Sequence, residues 1–370
     1  MGKVVISGYY GFNNVGDESI LTSIVSSFKE SIKDIEITVL SANPKSTEKK
    51  HKIHAIDRKN IKEIYKEIRK CDLFISGGGS LLQDVTSRRS ITYYLVIIFM
   101  AILLRKKVLI YGQGIGPINR KSNQCMVRWI LNKADAIIVR DEGSKELLEH
   151  IGINRPPTYV TTDPVIGLKK ASLELGSKIL KKEGINQLRE KPLIGFAIRG
   201  WREQDDFIDK ICSTADKLVE NFHMDVAFIP FHFKEDMKIM NEIEKRMKHQ
   251  AIFIRNRYEI DEMLGLVGNL DLLVGVRLHS LIFAAIMNTP IIAISYDPKI
   301  DSFMKSLQLD SLCSKEDLNE VDLILEIEKV QKNNENYKQM LEEKVKNLQE
   351  KLKVNEKVVM ELLNEGGCDK

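Results

Sequence analysis

The chain has 370 residues, of which 43% are hydrophobic and 29% are charged, and its net charge is +4. This length exceeds the roughly 250 to 300 residues at which a single hydrophobic core stops growing, so two domains are expected. The small net charge, with no cluster that mixes basic and aromatic residues, argues against a nucleic-acid partner.

The N-terminus, MGKVVISGYYG, enters a strand directly and lacks the apolar region and small-residue cleavage site of a signal peptide. The five cysteines are scattered, without a CxxC pair, which argues against a disulfide framework or a structural zinc site. No group of Asp, His or Cys has the spacing of metal ligands. These observations predict a cytoplasmic protein without a metal site.

Residues 1–168 contain repeated units in which an apolar strand runs into a glycine-rich turn and then a helix. The first turn carries Gly11, and either Asn14 or Asp17 can cap the helix that follows, whose N–H groups would face a ligand. Its spacing differs from GxGxxG, so it is weak evidence for a dinucleotide. Repeated units of this kind predict a doubly wound parallel sheet.

Later units carry glycine or polar residues at the predicted strand ends. SGGGSLLQD contains Gly78, Gly79 and Gln83, and YGQGIGPI contains Gln113. Glycines here either form a tight turn alone or let the backbone approach a ligand. Arg140 ends a further strand, where it either binds an anion or forms a surface ion pair with Asp141 or Glu142. Because ligands bind beyond the carboxyl ends of parallel strands, these residues are candidate substrate contacts.

One apolar run, residues 93–104, resembles a membrane segment but is only twelve residues long. A spanning helix needs about 20 residues, and Arg88, Arg89 and residues 105–107 flank this run with positive charge. A buried helix is the simpler interpretation. The alternative is a helix that lies partly in the membrane interface, which matters if the acceptor is a lipid.

A charged segment, residues 169–191, separates the first set of strands from a second set. Within the second set, residues 270–299 contain one strand that ends at Arg277 and His279 and another that leads to Lys299. Two cations and an imidazole at the ends of adjacent parallel strands predict a site for an anionic substrate.

The last part of the chain, from residue 318, is charged and helical. Apolar residues at three- and four-residue spacing form a seam, which predicts a helix that packs back onto a domain: Leu341, Val345, Leu348 and Leu352. Self-association through this seam is the alternative. The whole pattern predicts an α/β protein with two Rossmann-like domains facing each other across a cleft, a GT-B-like fold, at residues 1–168 and 169–317, with a helical tail at 318–370.

Seven motifs together resemble the polysaccharide pyruvyl transferase family, and within it the CsaB type. In chain order they are SGYYGFNNVGDESIL, SGGGSLLQD, YGQGIGPI, VRDEGS, TDP, GVRLHSLIFAA and ISYDPKI. They span almost the whole chain up to the tail. The combination of GVRLHS with YDPK is specific, whereas a single glycine loop is not.

The resemblance implies transfer of a pyruvate unit from phosphoenolpyruvate to a sugar as a 4,6-ketal, with release of phosphate and without a cofactor. For the CsaB type the implied acceptor is N-acetylmannosamine on a lipid-diphosphate-linked disaccharide. That disaccharide is a precursor of the secondary cell-wall polymer that S-layer proteins recognise. The acceptor would then use the N-terminal domain and phosphoenolpyruvate the C-terminal domain, with peripheral contact at the inner face of the membrane.

Under this resemblance His279 is the candidate general acid and base, because an imidazole titrates near neutral pH. Arg277 and Lys299, together with Ser280, would bind the phosphate and carboxylate, and Arg140 would stabilise charge from the opposite domain. The candidate acceptor-side residues are Gly11, Asn14, Asp17, Gly78, Gly79, Gln83 and Gln113.

Two other functions stay open at this point. A sugar-nucleotide glycosyltransferase or epimerase of the same architecture would use second-domain loops for a diphosphate, with Arg199 and Lys234 as candidates. A non-catalytic protein of cell-wall assembly is the second alternative, and His279, Arg277 and Lys299 together argue against it.

Overall fold

A computed structural model of the chain describes residues 2–85, 90–184, 191–200 and 205–366. Arg88 and Arg89, which were expected to flank the apolar run, lie outside these residues. The chain divides into two compact units, the first comprising Met1–Gly167 with Leu348–Lys370 and the second Leu168–Asn347. The predicted tail at 318–370 is therefore shared between the two units rather than forming a segment of its own.

Strands and helices alternate in the first unit. They are β1 (Lys3–Tyr10), α1 (Val15–Ser31), β2 (Glu36–Ser41), α2 (Pro44–His51), β3 (His54–Asp57), α3 (Ile61–Lys70), β4 (Leu73–Ser76), α4 (Ser90–Leu103), β5 (Lys107–Gln113), α5 (Lys121–Leu131), β6 (Ala136–Val139), α6 (Glu142–His150), β7 (Thr158–Val160) and a 3₁₀ turn (Pro164–Gly167). The strands pair in parallel in the order β3-β2-β1-β4-β5-β6-β7. This order reverses direction between β1 and β4, which makes their carboxyl ends the topological switch point.

The second unit repeats the alternation. Its elements are α7 (Leu173–Lys182), β8 (Leu193–Ala197), α8 (Asp205–Glu220), β9 (Asp225–Phe228), α9 (Phe233–Arg246), β10 (Ile252–Phe253), α10 (Ile260–Gly268), β11 (Leu272–Gly275), α11 (Leu278–Ile286), β12 (Ile291–Ser295), α12 (Pro298–Ser306), β13 (Cys313–Ser314), α13 (Glu320–Lys332) and α14 (Asn334–Gly366). The parallel strand order is β10-β9-β8-β11-β12-β13, with the switch point between β8 and β11.

Five strands are buried along their whole length and are nonpolar except for two terminal serines, Ser76 of β4 and Ser295 of β12. Every residue of β4, β6, β8, β11 and β12 is buried. Parallel strands covered by helices on both faces require such continuous burial, because no face is left for water. The predicted fold class, two parallel-sheet α/β units with C-terminal helices, is confirmed.

The seam of the C-terminal helix is buried. Leu341, Val345 and Leu348 of α14 are almost inaccessible to solvent, and Val358 and Val359 continue the buried side towards its end. Residues of α14 up to Asn347 group with the second unit, and those from Leu348 group with the first. The helix thus contributes apolar side chains to both cores.

The apolar run lies in α4, which packs one side into the first unit. In the described part of the chain, no helix combines the length and apolarity that crossing a membrane requires. The opposite side of α4, which includes Val96 and Leu103, is exposed.

Candidate active site

Three cations lie just beyond the carboxyl ends of neighbouring strands in the second sheet. Arg199 follows β8, Arg277 follows β11, and Lys299 lies in the first turn of α12, directly after β12. Strands β11 and β12 pair in parallel, as predicted for the two strands that lead to Arg277 and Lys299. The switch point lies between Arg199 and Arg277, so the cations flank the place where parallel sheets bind ligands.

Arg277 is held in a defined orientation by Asp236. Its Nε donates to Asp236 Oδ1 at 3.1 Å, and Nη2 bonds to the same oxygen. A second carboxylate, that of Glu235, lies 3.7 Å from Nη2. In the described part of the chain, Nη1 has no hydrogen-bond partner. One edge of the guanidinium is therefore fixed, and the other is available to an anion.

Asp236 is itself fixed by the backbone. It is 1% exposed, and its Oδ2 accepts from the N–H groups of Phe231 at 3.0 Å and His232 at 2.7 Å. These N–H groups lie where β9 gives way to α9, so the carboxylate is anchored at a strand end. The pairing of Asp236 with Arg277 joins positions 41 residues apart, which no local pattern reveals.

Tyr296 links the other two cations. Arg199 Nη1 donates to the Tyr296 hydroxyl at 2.7 Å, and the guanidinium carbon lies 5.2 Å from the ring centroid. Lys299 Nζ lies 5.8 Å from the same ring and 2.9 Å from Asp297 Oδ2.

Arg199 also interacts electrostatically with Glu235 and Asp236. Burial lowers the pKa of the Arg199 guanidinium, but Tyr296, Glu235 and Asp236 act in the opposite direction and leave that pKa above its usual value. Arg199 therefore stays charged beside the same carboxylates that orient Arg277. Arg199 therefore belongs to the same group of cations as Arg277 and Lys299. From sequence, Arg199 was a candidate only for the alternative sugar-nucleotide enzyme.

His279 and Ser280 lie in the first turn of α11. His279 is partly buried, and its Nε2 atom is shielded from solvent. Ser280 is buried, and its hydroxyl donates to the carbonyl of Arg277 at 2.6 Å. Ser280 thus stabilises the turn that presents Arg277 and His279, and in this structure its hydroxyl hydrogen is directed to the backbone.

Arg140 lies beyond β6 in the first unit and is 6% exposed. Its Nη1 donates to Asp163 at 3.1 Å, Nη2 donates to Ser80 at 3.2 Å, and Nε lies 3.5 Å from Asp141. A Cβ at Gly114 would approach the guanidinium to 2.5 Å, so this position requires glycine. Arg140 is therefore a buried cation paired with carboxylates, which differs from the surface ion pair considered from sequence.

The predicted acceptor-side residues surround the switch point of the first sheet. Asn14 caps α1 by accepting from Gly16 N at 3.1 Å, and its amide also bonds to Asp17. Gly11 has a φ of +81° and donates to Glu18 at 2.7 Å. Asn14 is confirmed as the cap of α1, and Asp17 supports it from the first turn.

The remaining predicted residues lie in the turn after β4 and at the last position of β5. Gly79 has a φ of +94°, and a Cβ on Gly78 would lie 2.8 Å from Ile20. The Gln83 side chain accepts from Val85 N at 2.8 Å. Gln113 is buried, and its side-chain amide donates to Ser76 Oγ at 2.8 Å and to the Ser76 carbonyl at 3.1 Å. The structure thus places all these residues at one edge of the sheet and gives most of them a role in shaping it.

Among residues 2–85, 90–184, 191–200 and 205–366, no group of three or more His, Cys, Asp or Glu is arranged to hold a metal ion. The chemistry available at the second-sheet edge is that of arginine, lysine, tyrosine and imidazole. Such a set can bind an anion with two charged groups and move a proton.

Comparison with known proteins identifies the family to which the chain belongs. Residues 14–298 match the model of the family described as polysaccharide pyruvyl transferase. The amylovoran biosynthesis protein AmsJ of Erwinia amylovora is 20% identical over 371 residues, covering 84% of this chain and 88% of the relative.

Solved structures with a similar fold are sugar-nucleotide proteins. HepE of Anabaena in complex with UDP-glucose has a TM-score of 0.67 at 13% identity, covering 98% of this chain and 99% of that one. UDP-GlcNAc 2-epimerase of Neisseria meningitidis, bound to UDP-GlcNAc, has a TM-score of 0.65 at 11% identity, covering 98% and 100%. At these identities the likeness concerns the fold alone, and it supports the GT-B-like class.

Proposed function

Because the chain belongs to the polysaccharide pyruvyl transferase family, we propose that it transfers the pyruvate unit of phosphoenolpyruvate to a sugar as a 4,6-ketal. The acceptor in this proposal is that of the CsaB type, N-acetylmannosamine on a lipid-diphosphate-linked cell-wall polymer precursor. The similarity to AmsJ, an amylovoran biosynthesis protein, supports a polysaccharide product. The proposed setting is the cytoplasmic side of the membrane.

One observation carries the proposal. Arg277 is oriented by Asp236 through two bonds while its Nη1 stays available. Arg199 interacts electrostatically with Glu235 and Asp236. Phosphoenolpyruvate presents a phosphate and a carboxylate on a three-carbon frame, so its pocket needs several fixed cations. In the proposal Arg277, Lys299 and Arg199 bind these two groups. Ser280 contributes by holding the turn below Arg277.

The reaction needs one proton donor near the methylene carbon. In the proposed sequence His279 protonates C3, which leaves C2 cationic. One sugar hydroxyl oxygen bonds to C2, and its proton passes to the imidazole of His279, which has just given up its own. The C2–O bond to phosphate breaks, and the second hydroxyl oxygen completes the ketal. The two sugar hydroxyls lose two protons in total. One replaces the proton that was delivered to C3, and the other leaves on the released phosphate. A half-buried imidazole is suited to moving them.

Arg140 takes a positioning role in this proposal. Its bonds to Asp163 and Ser80 join the turns after β6, β7 and β4. The turn after β4 carries Gly78, Gly79 and Gln83, which are proposed to contact the acceptor. Since Arg140 already pairs with carboxylates, its main contribution is to hold that edge of the first sheet in shape.

Ligand-induced stabilisation discriminates the donor. We expect phosphoenolpyruvate to raise the melting temperature, because a ligand that binds only the folded state stabilises it in proportion to ln(1 + [L]/Kd). UDP-glucose and UDP-GlcNAc should leave the melting temperature unchanged, with pyruvate and phosphate as separate controls. Stabilisation by the UDP-sugars alone would instead support the sugar-nucleotide enzyme.

Substitution of Arg277 by alanine should weaken phosphoenolpyruvate binding by roughly tenfold to 150-fold. A hydrogen bond to a charged group contributes about 1.5 to 3 kcal/mol, which corresponds to that range. Isothermal titration calorimetry measures the change. Arg255→Ala is the matched control, because Arg255 follows edge strand β10 of the same sheet and pairs at the surface with Glu244. Equal affinity in Arg277→Ala and wild type would remove Arg277 from the donor site.

A further inference from the structure

Helix α4 exposes an apolar stripe to solvent. Leu103 is 66% exposed and Val96 is half exposed, and Phe99 and Met100 between them are partly buried. These residues recur at three- and four-residue spacing, so they form one outward-facing line along the helix. The outer face of a helix on a soluble domain is normally polar. Here both sides of α4 are apolar.

Helix α5 extends this surface. Trp129 is 54% exposed, and its ring lies 4.9 Å from that of Phe99. Met126, one turn before it, is also exposed. We call the combined surface of Val96, Phe99, Met100, Leu103, Met126 and Trp129 the α4–α5 face. Exposed apolar surface of this continuity marks an interaction site rather than scattered surface residues.

The stretch of chain that builds the α4–α5 face carries charge of one sign. Residues 85–134 contain nine Lys or Arg and no Asp or Glu, whereas the whole chain contains 52 acidic residues, or roughly seven per fifty residues. With a net charge of +4 for the chain and +9 for this stretch, the other 320 residues carry −5. The excess of positive charge therefore lies entirely in the stretch that builds α4 and α5.

Several of these cations border the face directly. Arg105 and Lys106 follow the end of α4, and Lys133 Nζ lies 5.1 Å from the Trp129 ring centroid. Within the described residues, neither Arg105, Lys106 nor Lys133 forms an ion pair. Lys107 forms ion pairs with Asp135 and Glu365, so it is not included among the cations that border the face.

A hollow of about 330 Å³ lies beside Trp129. Its lining includes Arg128, Lys133 and Arg155, together with Asn154. Asn132 also lines the hollow, but its amide is bonded to backbone groups of Arg128, Gly152, Asn154 and Arg155. Three cations around an open hollow suit a phosphate group. The hollow thus adds an anion-binding element next to the apolar stripe.

We propose that the α4–α5 face binds the surface of an anionic phospholipid bilayer, with the apolar stripe entering the interface and the cations contacting phosphate groups. An exposed tryptophan beside aliphatic residues and a basic border is the composition that lies in a bilayer interface. A second copy of the chain fits less well, because a self-complementary contact would bring two basic borders together. The surface would hold the enzyme where a lipid-linked acceptor resides.

Binding to vesicles tests this inference without phosphoenolpyruvate or acceptor, so its outcome is independent of the proposed reaction. Wild-type protein should float with vesicles of equal parts phosphatidylglycerol and phosphatidylcholine, and not with phosphatidylcholine alone. The double variant Leu103→Asp/Trp129→Asp should bind roughly tenfold or more weakly. Lys106→Gln/Lys133→Gln should lose roughly fivefold per cation removed, with binding by wild type reduced by salt.

Matched controls lie on α3 of the same unit. Ile61→Asp/Tyr65→Asp replaces an exposed aliphatic and an exposed aromatic residue, and Lys62→Gln/Lys66→Gln removes the same charge. Both should bind vesicles as wild type does. Absence of wild-type binding to anionic vesicles, or equal losses in variants and controls, would overturn the inference. If wild type is instead dimeric in sedimentation and Leu103→Asp/Trp129→Asp is monomeric, without vesicle binding, the face joins two copies of the chain.

Discussion

Substitution of His279 by alanine should lower kcat for phosphate release by about 10² to 10⁴, the range typical for loss of a general acid or base. The side chain lies in the first turn of α11, directly after the strand that presents Arg277. Its removal deletes the proposed proton donor to C3 without deleting a cation that binds the donor substrate. Turnover should therefore fall while the affinity for phosphoenolpyruvate changes little.

Phosphate release from phosphoenolpyruvate, in the presence of a lipid-like ManNAc-GlcNAc acceptor, measures this effect. His249→Ala is the control, since His249 lies near Glu220 at a surface position of the same unit and should keep wild-type turnover. Isothermal titration calorimetry with phosphoenolpyruvate checks that the His279→Ala variant is folded, because a folded variant should bind phosphoenolpyruvate with nearly wild-type affinity. Retention of more than a few per cent of activity by His279→Ala would exclude the acid and base role.

The same assay addresses the non-catalytic alternative. If wild-type protein binds the acceptor but releases no phosphate, a role in cell-wall assembly without catalysis would replace the proposed transfer. Release of phosphate that requires both substrates supports ketal formation, and release without acceptor would point to simple hydrolysis.

Replacement of Asp163 by alanine should destabilise the first unit by about 3 kcal/mol, the lower part of the range for breaking a buried ion pair. Asp163 is 3% exposed and Arg140 6% exposed, so the substitution leaves a buried guanidinium with only the more distant Asp141 nearby. The lower part of the range applies because Asp141 still compensates some of the charge.

Urea denaturation followed by Trp129 fluorescence, in a Trp201→Phe background, reports on the first unit alone. The double variant Arg140→Met/Asp163→Ala should recover part of the loss, because no unpaired charge remains. A loss below about 1 kcal/mol for Asp163→Ala would mean that the pair contributes little to the fold. In that case Arg140 would regain the direct role in charge stabilisation that its place in the motif suggests.

Much of the candidate site followed from local patterns. Apolar runs that end in Arg277 and near Lys299 predicted two strands, and the helix between them predicted that these strands are parallel and adjacent, since such a unit returns the chain to the same sheet edge. The seam of α14 was predicted in the same way, from spacing along one helix.

Only the tertiary structure shows which residues pair with the cations of the site and how deeply those pairs are buried. Sequence left Arg140 between an anion-binding and a surface role, and the structure places it in a buried pair with Asp163. Asp236, which orients Arg277, lies in the first turn of α9, 41 residues before its partner. Tyr296, which binds Arg199, lies 97 residues further along the chain.

By itself, the sequence determined the two sets of strand and helix units, the strand ends that carry Arg277 and Lys299, and the apolar run of α4. These depend on periodicity and on breaks within short stretches of chain. Tertiary structure alone decided which carboxylate faces which cation, how α14 divides between the two units, and which side of α4 meets water. Those features depend on strand order and on packing between distant elements, which local side-chain preferences do not specify.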